Sequence, residues 1–144
     1  MSINSALADS FKVGLLNGEF DFSADTVQVF KIALYTSAAT LNSSTTGYST
    51  DNEASGSGYT AGGETLTLSV NPTQDAGIAY ISFSNVTWTA SSITARGALI
   101  YKADGDTNPS VAVIDFGSEK TTSGGNFVIQ FPPANNQNAV VRIS

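Results

Sequence analysis

Apolar residues recur at helical spacing in one part of the chain. Starting from Asn4 or Ser5, either of which suits a helix N-cap, Leu7, Phe11 and Leu15 fall at i, i+4 and i+8. Ala8 and Leu16 widen the stripe, and Asn17-Gly18 supplies a C-terminal stop. The spacing predicts a helix over residues 5–17. Such a helix has about three to four turns and is too short to be stable alone, so its stripe must dock on something. The chain's own core is the favoured partner, because short amphipathic helices usually serve their own core. A neighbouring subunit is the alternative.

Beyond the helix the pattern changes to period two. Val27 to Tyr35 reads as a strand with Phe30, Ile32 and Leu34 on one face and Val27, Val29 and Ala33 on the other. Two largely apolar faces predict a strand covered on both sides. Ser37 to Gly63 is rich in Ser, Thr and Gly and reads as a long surface loop. Further strands are expected at Thr65–Val70, Ile78–Phe83, Val86–Thr89, Ile93–Tyr101, Val111–Phe116, Phe127–Phe131 and Ala139–Ile143, with a turn at Pro72–Gly77. About eight strands separated by turn signals fit an all-β antiparallel sandwich, or a jelly-roll or Greek-key domain, spanning residues 1–144 as one unit.

Composition narrows the chemistry. The 144 residues include 19 Ser, 16 Thr, 11 Asn and 13 Gly but no His and no Cys. That alphabet builds no Cys/His zinc site, disulfide, Ser-His-Asp triad or thiolate nucleophile. Six basic and twelve acidic residues give a net charge of −6, and the basic ones are scattered singly. Direct nucleic-acid binding, which needs a basic stripe, is not expected. The apolar runs are too short to span a membrane, and the first 18 residues do not read as a secretory leader. The lack of Cys fits synthesis in a reducing cytosol.

Four local patterns invite a chemical reading. Asp115-Phe116-Gly117 matches a kinase magnesium triplet but lacks the other kinase motifs, and reads as a strand running into a turn. Gly56-Ser-Gly58-Tyr-Thr-Ala61 fits a loose dinucleotide fingerprint without its strand–helix context, and reads as a glycine-rich loop. Asp104, Asp106 and Asn108 have calcium-loop spacing with Asp115 at the twelfth position. Pro109 stands where that loop wants Gly, so an Asx-rich hairpin turn is the stronger reading. Asp51, Glu53, Glu64 and Asp75 are candidates for a catalytic carboxylate pair by chemistry only, and acids placed mostly in loops make solvated surface the stronger reading. No cofactor or metal is assigned. Asn42-Ser-Ser44 and Asn85-Val-Thr87 are glycosylation sequons, relevant only in a eukaryotic secretory pathway.

Six segments together resemble a family of small virion proteins of tailed bacteriophages. They are Phe11–Gly18 (FKVGLLNG), Phe30–Ser37 (FKIALYTS), Gly58–Gly63 (GYTAGG), Thr94–Tyr101 (TARGALIY), Ala112–Gly117 (AVIDFG) and Phe127–Pro132 (FVIQFP). The resemblance follows the family's order over nearly the whole chain. It implies a non-enzymatic particle component located in the virion, with no catalytic residues to carry over. Within that setting the first expectation is a capsid decoration or cement protein that binds the major capsid protein and self-associates as a homo-oligomer. A tail or tail-fibre component, contacting host-surface glycan, is the alternative. The candidate protein-contact residues are Leu7, Phe11 and Leu15 of the helical stripe, with Tyr48 and Tyr59 of the long loop.

Overall fold

The computed structural model describes residues 2–144. Among them are ten strands and one helix: β1 (Ala6–Leu7), α1 (Asp9–Leu16), β2 (Phe30–Tyr35), β3 (Glu64–Thr65), β4 (Leu68–Asp75), β5 (Ile78–Phe83), β6 (Val86–Ser91), β7 (Thr94–Lys102), β8 (Ser110–Thr121), β9 (Gly125–Ile129) and β10 (Val141–Ile143). The fold is all-β and sandwich-like, with every strand pair antiparallel. A central sheet has the order β1-β8-β7-β2-β3. Two smaller sheets, β10-β5-β4 and β6-β9, pack against it.

The alternation of β2 and β7 explains this arrangement. Phe30, Ile32 and Leu34 of β2, with Ala98 and Ile100 of β7, face a large core shared with Phe83, Trp88, Phe127 and Val141 of the smaller sheets. Ala33, Tyr35, Leu99 and Tyr101 point the other way, into a second core closed by Ile3, Ala39 and Leu41. The central sheet is thus buried on both faces, as the two apolar faces of β2 require.

One ribbon builds two layers. β7 and β8 pair in the central sheet, while β6 and β9, which adjoin them in sequence, pair with each other in the opposing layer. Both chains turn the corner together at Ser91–Thr94 and Thr121–Gly125. There the buried Ser91 hydroxyl lies 2.9 Å from the Thr122 hydroxyl and donates to the Gly125 carbonyl at 3.0 Å. Thr122 Oγ1 in turn accepts the Ile93 N–H. Hydroxyls replace the ladder bonds that the bend interrupts.

Several boundaries differ from the sequence expectation. Residues 6–7 leave the expected helix to pair with Val113 and Ala112, so α1 starts at Asp9 behind Ala8, which makes no side-chain cap. The expected strand at Val27 begins only at Phe30, and Val27 is 95% exposed. β4 runs through Pro72, tolerated because β4 is an edge strand and Pro72 falls within the register shift between Val70 and Thr73. The turn is only Ala76-Gly77, both at positive φ, the backbone that a two-residue hairpin demands. β8 extends past Phe116 through a bulge at Gly117 and rejoins β7 at Lys120. Residues 37–63 are not simply a solvated loop, since Ala39, Leu41 and Ala54 are buried within them.

α1 closes one end of the larger core. Phe11 is fully buried and meets Phe20 edge-on at 4.8 Å and Phe22 at 6.0 Å. Leu16, only five residues on, is 92% exposed. Phe11→Ala should therefore destabilise the protein by about 3–5 kcal/mol, whereas Leu16→Ala should stay within about 0.5 kcal/mol of wild type. Denaturant unfolding of the two variants checks the contrast.

Candidate functional site

The long polar loop is fastened to the sheet by one carboxylate. Glu53 is half-buried and pairs by a bridge with Tyr35 of β2. Its Oε1 accepts the Tyr48 hydroxyl at 2.6 Å, and its Oε2 accepts the Tyr59 hydroxyl at 2.5 Å and the Gly62 N–H at 2.8 Å. The Tyr59 oxygen also accepts the Leu34 N–H at 3.0 Å, linking the cluster to β2. Tyr101 of β7 donates to the Gly62 carbonyl at 2.6 Å, and its ring stacks on Tyr48 with centroids 4.7 Å apart. Tyr35 donates to the Ser49 carbonyl. Gly63, at φ +79°, lies so close to β2 that a Cβ there would collide with the Ile32 carbonyl oxygen.

The electrostatics of this clamp favour neutral phenols. Desolvation by burial, and then donation to Glu53, raises the pKa of Tyr48 and of Tyr59. Burial also raises Tyr35, and burial with the charge of Glu53 pushes Tyr101 up to about 12. Each hydroxyl stays a donor through the physiological range, so the arrangement acts as a fastening. None of the four tyrosines is tuned to give up a proton near neutral pH.

The five contact candidates are not brought together. Tyr48 packs beside the second core, and Tyr59 is spent on Glu53, Leu34 and an approach to Trp88 at 6.0 Å. Leu7 is half-buried in β1, Phe11 lies inside the larger core, and Leu15 is half-buried against it. The apolar side chains turned outward are others: Val13 (59% exposed) and Leu16 on α1, Val27 and Val29 before β2, Val128 on β9 and Ile143 on β10. Val13 and Leu16 form an i, i+3 pair, which is the signal that marks them in the sequence.

The other acidic candidates are used locally. Asp104 Oδ1 accepts the N–H groups of Asp106 and Asn108, both at 2.9 Å, and these bonds hold its carboxyl below the usual range. Asp115 accepts the Gly117 N–H at 2.9 Å and the Arg96 Nε at 3.0 Å, which pins the β8 bulge and again lowers its pKa. Among the described residues no group of three or more His, Cys, Asp or Glu could hold a metal ion. Asp51 and Glu53 share the loop, Glu64 sits exposed on β3, and Asp75 ends β4 in another sheet.

A groove of about 950 Å³ opens beside β9. It is lined by Leu7 of β1, Ile114 and Phe116 of β8, the consecutive residues Asn126 to Pro132 of β9 and its continuation, and Val140 and Arg142 at β10. Lys120 and Arg142 are its charged side chains, and no Asp or Glu lines it.

Glu53→Gln, which replaces one acceptor oxygen by a donor, should lower stability by about 1–3 kcal/mol in chemical denaturation. The pH dependence has a worked sign on both limbs. The tyrosines have raised folded-state pKa values, so their contribution is complete below about pH 10 and drains away as pH rises through their folded pKa values. Asp104 and Asp115 are lowered, so their contribution is complete above the ordinary value of 3.8 and is lost as pH falls through the folded values. Thermal melts across pH should show decline on each side, and the alkaline limb should soften in Tyr59→Phe. Comparison with protein-family models, curated proteins and solved structures finds no match to this chain.

Proposed function

We propose that this chain is a non-enzymatic structural protein of a tailed-bacteriophage particle, a decoration or cement protein seated on the major capsid shell. One observation carries the reading: carboxylates that invite a chemical reading are bonded within the chain, while apolar side chains are turned out. Glu53, Asp104 and Asp115 are engaged by the chain's own donors, and Val13, Leu16 and Val27 face solvent. That division of the surface suits a part that holds neighbours together and carries out no reaction.

The resemblance supports the same reading. Its six segments fall on α1, β2, the glycine stretch of the Glu53 clamp, β7, the start of β8, and β9. They are the residues that build the scaffold. A cement protein needs such a scaffold, since many repeated weak contacts on a lattice supply avidity without a strong single site. The net charge of −6 suits an outer position around packaged nucleic acid.

The direct experiment adds purified protein to shells that lack it. Attachment in hundreds of copies per particle, with improved survival on heating, is the expected result. A small multiple of three or six copies would place it in the tail, and no attachment would overturn the reading. Because the outward apolar residues Val13 and Leu16 carry no charge, attachment through them should change little between low and moderate salt. Leu16→Asp should weaken attachment by on the order of tenfold without lowering the melting temperature.

A further inference from the structure

Two features of the molecule stand unsatisfied and are complementary. The first is the stretch Asp25-Thr-Val27-Gln-Val29, whose alternating valines have strand character but lie outside any strand and meet a neighbouring backbone only at the Val29 carbonyl. Val27 is 95% exposed and Val29 42%, and neither the N–H nor the C=O of Val27 makes a hydrogen bond among the described residues. The stretch is nevertheless held in place. The Gln28 side chain accepts the Asp21 N–H and donates to the Glu19 carbonyl, and the Val29 carbonyl accepts the Ala103 N–H.

The second feature is the groove beside β9. That strand pairs with β6 on one edge and with nothing on the other. All of Asn126, Phe127, Val128, Ile129 and Gln130 line the groove, as expected where a strand is met along its edge and not on one face. Unpaired edges of this kind are templates for an added strand. Charge favours a particular occupant. The groove has the basic side chains Lys120 and Arg142 and no acidic side chain, while the valine stretch is accompanied by Glu19, Asp21 and Asp25, with no base between Lys12 and Lys31.

The two features lie at opposite ends of both layers. In the central sheet the groove is lined by β1 and β8, whereas the valine stretch runs into β2 next to the edge strand β3. In the opposing layer the groove meets β10, whereas Thr26, Gln28 and Val29 share a shallow hollow with Leu68 and Asn71 of β4. One chain therefore cannot satisfy itself. We propose that the stretch Asp25–Val29 of one copy adds as a strand to the free edge of β9 in a second copy, joining protomers head to tail. Such a heterologous contact generates a ring if the rotation closes and a filament if it does not. The proposal does not depend on where the protein resides.

The test uses the full chain and two surface variants, Val27→Glu and Val128→Glu. Val128 is 48% exposed, so both should melt as wild type does. Sedimentation should show wild type as dimers and larger species, and each variant alone should associate at least about tenfold more weakly. An equimolar mixture should then form one-to-one dimers, because each variant keeps the half that the other has lost. A contact between identical patches would not be rescued by mixing. Wild type that stays monomeric at high concentration, variants that associate unchanged, or a mixture no more associated than its components would each overturn the proposal. Binding of a synthetic Asp25–Val29 peptide to a monomeric wild type would also overturn it, in favour of a foreign acidic strand.

Discussion

A half-buried carboxylate holds the second face of the central sheet closed. β2 and β7 are apolar on both sides, so a layer is required over Tyr35, Leu99 and Tyr101 as well as over Ile32 and Ile100. Residues 37–63 supply that layer from a segment with little apolar area to offer. Hydrophobic burial by Ala39 and Leu41 positions it, and the bonds from Tyr48, Tyr59 and Gly62 to Glu53 fix its register. Hydrogen bonds to a charged acceptor are stronger than neutral ones, which suits a cover that cannot rely on area. Without the clamp, the aromatic rings and the sheet surface beneath would meet water together.

The same economy governs the rest of the polar inventory. Hydroxyls of Ser91 and Thr122 close the corner between layers, the Asp104 carboxylate organises the β7–β8 turn, and Asp115 with Arg96 secures the bulge. Ser91, Asp104 and Asp115 each meet a backbone group that irregular structure has freed from a ladder. A chain with few charges can therefore sustain bulges and long turns without exposing its core. What remains outward-facing is largely polar with sparse charges, interrupted by a few valines, Leu16 and Ile143.

Much of this was legible before any coordinates. The alternation in Phe30–Tyr35 and Ile93–Tyr101 reports the doubly covered sheet, because period two with both phases apolar has few other readings. The spacing of Phe11 and Leu15 identified the helix and its docking face. The helix starts later than its spacing suggests because Ala6 and Leu7, strong helix formers, are overruled by pairing with Val113 and Ala112. The clamp was invisible for a different reason. Tyr48, Glu53, Tyr59 and Gly62 follow no period, and the surrounding Ser, Thr and Gly resemble a solvated loop, so only their meeting over β2 shows that the segment is half interior. Val27 misled in the opposite sense, since its strand propensity is real but no neighbour within the chain answers it.

The bent ribbon of β6, β7, β8 and β9 bears on the entropy of assembling two layers. Bringing distant strands into opposite layers ordinarily requires long connections, and the cost of closing each grows with its length. Here the β7–β8 turn at residues 103–109 is the one connection that must be closed to align the ribbon. The pairing of β6 with β9 follows from continuing the same register around the Ser91–Thr122 corner, with no additional loop to restrain. Half of the sandwich is thus specified by a single short turn, and the long Ser/Thr/Gly segment is free to serve as a lining.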